Sequence, residues 1–145
     1  MISVYLDNCC YNRPYDDQNQ LKVHLEAEAK MHIQNMITDK KLNLVVSYIS
    51  EFENLKNPHV SRRQTIADFF ENASVFVDTS QYTSVEEKAS EIMKTGIKEM
   101  DALHIAAAII GKADYFITTD MRVLKYQSNE IELINPLNFI QITEV

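Results

Sequence analysis

Short apolar runs alternate with stretches of helical period along almost the whole chain, and this alternation limits the folds open to it. Ile2 to Leu6, Leu44 to Ser47, Val75 to Val77, Tyr115 to Thr118 and Ile131 to Ile134 read as short strands. Between the first two, Leu21, Leu25, Ile33, Met36 and Ile37 recur near helical spacing in a segment that closes before Lys40. Ser50 stands where it can cap the next helix, and after Pro58 the run Arg62 to Phe70 presents Ile66, Phe69 and Phe70 on one side. A helix opened by Thr83 or Ser84 carries Val85, Ala89, Ile92 and Met93 and stops at Gly96, expected to be left-handed. A further helix from about Asp101 to Ile110 stops at Gly111, a short one starts at Met121, and an Asn135-Pro136 turn closes the chain.

Strands separated by helices pair in parallel, because a right-handed crossover lays each helix back over the sheet. The expected class is therefore α/β, a three-layer α/β/α arrangement around a central, mainly parallel sheet of about five strands. With 145 residues, 46% of them apolar and 24% charged, the chain has the profile of one globular domain, residues 1–145. MISVYLDNCC has no basic start before an apolar run and no small-residue cleavage site, and nowhere do about 18 apolar residues follow one another. The expectation is a cytoplasmic protein with no membrane segment.

Composition also removes several functions. The two glycines build neither GxGxxG nor GxxxxGK[ST], so the usual phosphate-cradling fingerprints are absent. Cys9 and Cys10 are adjacent, which disfavours a disulfide between them and lacks the CxxC spacing of a zinc site. Net charge −7 argues against indiscriminate attraction to nucleic acid or anionic membrane. A nucleic-acid role must rest on local charge.

Four acids stand out once the elements are placed. Ligands of open α/β sheets bind outside the carboxyl ends of the strands. Asp7 follows the first strand, and Asp120 follows Tyr115 to Thr118. Glu53 lies in the first turn of the helix after the second strand, and Asp101 opens a helix running back along the sheet, so all four acids are expected at one edge. Each has an ordinary explanation: Asp7 as a turn residue, Ser50-x-x-Glu53 as a reciprocal capping box, Asp101 and Asp120 as caps or first-turn charges. Four independent caps have no reason to share an edge, whereas hard divalent cations need several oxygen ligands in one place. Glu51 points away from Glu53, and Asp114 stands at the opposite end of its strand from Asp120.

These residues resemble the PIN-domain ribonucleases. The likeness runs through YLDN (Tyr5 to Asn8), the serine-to-glutamate spacing from Ser47 to Glu53, MDALHIAAA (Met100 to Ala108), ADYFITTD (Ala113 to Asp120) and the closing INP at Ile134 to Pro136. It implies metal-dependent hydrolysis of RNA phosphodiesters, with Asp7, Glu53, Asp101 and Asp120 as catalytic residues and as ligands of Mg²⁺ or Mn²⁺. Ions held there would lower the pKa of a bound water, orient it for in-line attack and stabilise the leaving oxygen. By the same resemblance Thr118 meets a substrate phosphate or a metal-held water, and Asn8 orients Asp7. Arg13 is the nearest candidate for substrate binding, with Lys56, Arg62, Arg63, Arg122 and Lys125 as flanking charges for single-stranded RNA and Tyr11 and Tyr15 as base-stacking candidates. His104, three residues after Asp101, is either a general base or a helix-packing histidine, the second being favoured by the alanines around it.

The resemblance also implies a homodimer, and toxin-type relatives carry an antitoxin protein as partner. NCCYNRPYDDQ departs from the short hydroxyl-rich continuation of those relatives, so only the nuclease follows from residues, not the toxin. The competing class is a non-catalytic RNA-binding or protein-interaction module on the same fold, separable by metal-dependent binding. A phosphatase or receiver-like domain would need a second acid two residues after Asp7, where Cys9 stands.

Overall fold

In β1 (Ser3–Leu6) Tyr5 faces one side of the sheet and Val4 and Leu6 the other, and all three are buried. A strand buried on both faces needs helices above and below it. The computed structural model describes residues 1–12, 16 and 18–143 and supplies both layers. Arg13 and Tyr15 lie outside the described residues.

β2 (Asn43–Ser47), β3 (Val75–Val77), β4 (Tyr115–Ile117) and β5 (Glu132–Ile134) join β1 in a five-stranded sheet of order β3-β2-β1-β4-β5. Every pairing is parallel, with Tyr5 beside Val45 on one side and Phe116 on the other. One face carries α1 (Asn8–Asn12), α2 (Leu21–Thr38), α4 (Val60–Phe70) and α8 (Pro136–Thr143), whose Cys10, Tyr11, Ile33, Ile37, Ile66, Phe70 and Phe139 pack on Val4, Leu6, Leu44, Val46 and Ile117. The other face is covered mainly by α5 (Tyr82–Met93) and α6 (Glu99–Ile110), packed on Tyr5, Val45, Val77 and Phe116. The three-layer α/β/α class expected from the alternation is therefore present. No helix among the described residues is long and apolar enough to cross a membrane.

The chain runs outward from β1 through β2 to β3, then returns across the sheet to β4 and β5. Strand order thus reverses between β1 and β4, and the crevice at their carboxyl ends is where open α/β sheets take ligands. Asp7 and Asp120 flank that crevice.

Local structure corrects several expectations. The helix after β2, α3 (Tyr48–Leu55), is capped by Ser47 and not by Ser50: Ser47 has extended backbone, and its Oγ accepts from Ser50 N at 3.2 Å. Ser50 is already helical, so no reciprocal box with Glu53 forms. α1 was not foreseen because it is only five residues long, too short to show a period. The closing Asn135-Pro136 turn is the start of α8: proline suits a first helical turn, and Asn135 Oδ1 accepts from Asn138 N at 2.9 Å. Gly96 has φ 101, the left-handed conformation expected of it. Tyr11, considered as a base-stacking residue, is only 2% exposed and packs edge-on against Phe69 and Phe70, so it belongs to the core.

Candidate functional site

A cleft of about 500 Å³ opens at the carboxyl edge, walled by Asp7, Glu53, Asp101 and Asp120 together with Asn8, Cys9, Asn12, Asp16 and Met100. Four separate pieces of chain bring the four acids there: the residue after β1, the middle of α3, the first turn of α6, and the residue before α7 (Met121–Leu124). None of the described residues lining the cleft is a lysine or arginine. Asp16 is an acid in this wall that the sequence pattern did not single out.

Asp7 is buried and held from several sides. Its Oδ1 accepts from Asn8 N at 2.8 Å, and its Oδ2 accepts from Thr118 Oγ1 at 2.8 Å. The Cys9 sulfur stands 3.5 Å from the same Oδ2 and 3.4 Å from Thr118 Oγ1. Thr118 is fully buried, and its hydroxyl also accepts from Asp120 N at 3.1 Å, so one side chain ties together the ends of β1 and β4. Asn8 reaches Asp7 through its backbone N–H and is itself part of the cleft wall.

Asp120 is exposed and caps α7, its Oδ1 accepting from Arg122 N at 2.9 Å. The ordinary explanation of this acid is thus realised alongside its place in the cleft. Asp101 is half-buried at the start of α6. Burial raises its carboxyl above the usual aspartate value, and the negative charges of Asp7 and Asp120 push the same way; His104 opposes them and Glu53 adds to them. Burial is the largest cause of that rise, and the neighbouring carboxylates add to it. Glu51 is exposed, and Asp114 bonds Ser3 N at 2.8 Å at the other end of the sheet, as their set-aside positions implied.

Glu53 is held by a group that sequence reasoning left undecided. Its Oε1 is bonded to His104 Nε2, while His104 Nδ1 lies 2.7 Å from the Tyr5 hydroxyl. Tyr5 in turn meets Ser47 Oγ at 2.6 Å and Ser50 Oγ at 2.9 Å. Tyr5 is fully buried and His104 is 1% exposed. Burial pushes the Tyr5 hydroxyl well above its ordinary range. With both ring nitrogens engaged inside the protein, His104 is neither an inert packing residue nor a base open to substrate.

The donor set fits Mg²⁺ or Mn²⁺ by chemistry: several carboxylate oxygens, mutually repelling, with no cationic side chain in the cleft wall. Its geometry is not that of a closed cage. Among the described residues no group of three His, Cys, Asp or Glu side chains is arranged to hold a metal ion.

The flanking cations are spread around α3, α4 and α7. Lys56 Nζ sits 4.2 Å from the centroid of the Phe52 ring, and an Arg63 guanidinium nitrogen donates to Asn57 O at 3.0 Å. Both cysteines are free thiols. Compared with protein-family models and with curated proteins, the chain finds no match.

Proposed function

We propose that the protein is a metal-dependent endoribonuclease of the PIN-domain type, hydrolysing phosphodiester bonds of single-stranded RNA. The observation that carries this reading is the convergence of Asp7, Glu53, Asp101 and Asp120, from four separate elements, on the crevice where strand order reverses. A capping role for each acid does not explain why all four share one cleft.

Mg²⁺ or Mn²⁺, when bound, supplies Lewis-acid polarisation of a phosphoryl oxygen and an activated water. The chain's own residues supply orientation. Thr118 and the Asn8 backbone hold Asp7 by both oxygens, and the Arg122 N–H holds one oxygen of Asp120. Asp7 Oδ1 and Asp120 Oδ1 each keep a further lone pair, while Asp7 Oδ2 also meets the Cys9 thiol, so these bonds aim the acids without exhausting them. Cations must offset the repulsion between an acidic cleft and a polyanion, which makes divalent ions a requirement for substrate entry as well as for chemistry. On this reading a homodimer and an antitoxin partner remain expectations of the family resemblance.

The test is cleavage of a labelled single-stranded RNA by purified protein in Mn²⁺ or Mg²⁺ against EDTA, with Asp101→Asn alongside. Cutting that needs the ion and drops at least about a hundredfold in the folded variant is expected, the usual scale for loss of an electrostatic catalytic group. Undiminished cutting by Asp101→Asn would sink the assigned site.

One observation favours a second reading, a non-catalytic RNA-binding module: the acids are not gathered into a three-ligand cage. The two readings part on metal binding. Calorimetric titration with Mn²⁺ that shows binding in wild type and none in Asp101→Asn supports the enzyme; RNA binding indifferent to the ion supports the module.

A further inference from the structure

Buried polar groups must find partners, and Tyr5 is a polar residue in an otherwise apolar stretch of the central strand. Its hydroxyl lies within hydrogen-bond distance of three groups: Ser47 Oγ, Ser50 Oγ and His104 Nδ1. The far nitrogen of His104 meets Glu53 Oε1. An ionised carboxylate only accepts, so His104 Nε2 donates to it. A neutral imidazole then has Nδ1 as an acceptor, and the Tyr5 hydroxyl is the donor beside it. The Tyr5 oxygen is left to accept from the two serine hydroxyls, while Ser47 Oγ accepts from Ser50 N. Every donor in this scheme finds an acceptor, and every bond points toward Glu53.

We infer that this chain, Ser47 and Ser50 to Tyr5 to His104 to Glu53, is a positioning relay that fixes the orientation of Glu53 for a divalent cation. The inference rests on the metal-dependent reading above and adds to it the residues that aim one of the ligands. The Tyr5 ring is clamped by stacking on Phe116 at a centroid separation of 5.5 Å, and the His104 ring sits edge-on to Tyr5 at 5.7 Å. Neither ring can turn without disturbing the core, so the donor at Nε2 stays where the core puts it. Asp120 is oriented by a neighbour two residues on, through Arg122 N, and Asp7 by Asn8 N together with the Thr118 hydroxyl from the end of β4. Glu53 is oriented from inside the protein by a buried ring, across 51 residues of sequence, because His104 comes from α6.

The same arrangement predicts which substitutions are tolerated. Glutamine at 104 can place its amide nitrogen close to the Nε2 position and keep the donor to Glu53. Leucine fills similar space and donates nothing. Phenylalanine at 5 keeps the stacked ring and removes the single oxygen that holds His104 in its tautomer.

The experiment is calorimetric titration of Mn²⁺ into the purified protein and its variants, each checked for folding by circular dichroism. His104→Leu is expected to weaken Mn²⁺ binding at least about tenfold, the usual cost of losing a group that orients a metal ligand. His104→Gln is expected to stay within about threefold of wild type, and Tyr5→Phe to fall between the two. The His104→Leu penalty is expected to vanish in a Glu53→Ala background, because the relay acts only through that carboxylate. A folded His104→Leu protein with wild-type affinity overturns the relay, as does a penalty of equal size without Glu53. Should His104→Leu fail to fold, Tyr5→Phe decides, and wild-type affinity in that variant overturns the relay. Wild-type protein that binds no Mn²⁺ overturns the metal-dependent reading itself and the relay with it, a result distinct from binding that ignores His104.

Discussion

Lys30 is only 4% exposed on α2, its ammonium 5.8 Å from the centroid of the Tyr11 ring. Burial lowers its pKa from 10.5 to about 8, with Cys10 acting weakly the other way. The folded protein therefore gives up this proton before the unfolded chain does. Between pH 8 and 10.5 the unfolded state holds more protons, so stability rises with pH through that window and the burial penalty shrinks. The unfolding free energies of wild type and Lys30→Met, compared from pH 7.5 to 10.5, are expected to shift in favour of wild type by up to about 3 kcal/mol. A difference that stays flat across the window would contradict the assignment. The four acids of the cleft were legible one by one, since each sits at a position fixed by the strand or helix next to it. The anchor of Glu53 was not, because His104 and Tyr5 are 99 residues apart and only the fold joins them. The available signal was a polar side chain at each of two positions expected to be buried, which obliges both to find a partner.

Most helices were visible from apolar periods or capping residues, and strands as apolar runs; α1 and α8 were not. α1 is fixed by tertiary contacts, with Cys10 and Tyr11 buried beneath it, and α8 by Asn135 and by Phe139 packing on Tyr115. The start of α3 was misplaced because Ser47 and Ser50 are both chemically fit to cap, and only backbone conformation chooses between them. Gly111 closes α6 for a reason composition does not reveal. A Cβ there would lie 2.5 Å from Val45 Cγ1 and 2.9 Å from Val77 Cγ2, so the helix end rests directly on the sheet. Left-handed backbone is taken by the next residue, Lys112, at φ 61. Gly111→Ala is expected to cost about 1–3 kcal/mol in urea unfolding, the range for overpacking a core contact. A loss under about 0.5 kcal/mol would mean that α6 can lift off the sheet without strain, the level of an ordinary surface substitution.

At the scale of the molecule, the parallel α/β class follows from the alternation of elements, but the strand order does not. Nothing local to β4 says that it pairs with β1 and not with β3; the order is decided by which faces the helices can cover. That order makes the cleft, and the cleft concentrates like charge, so a bound cation should stabilise the whole fold by mass action. Mn²⁺ at about a hundred times its Kd is expected to add about 2.7 kcal/mol to unfolding stability, to lose that gain in EDTA and to give none to Asp101→Asn. An unchanged melting curve for wild type in Mn²⁺ would count against the ion. A further consequence concerns the order in which the protein is made. Asp7 precedes the rest of the acid set in the chain, since Thr118, which holds it, and Asp120, which lines the same cleft, arrive 111 and 113 residues later, just past a strand that β1 must wait for. A growing polypeptide on the ribosome therefore carries an incomplete acid set, and whatever chemistry the cleft performs is withheld until β4 emerges and threads in beside β1.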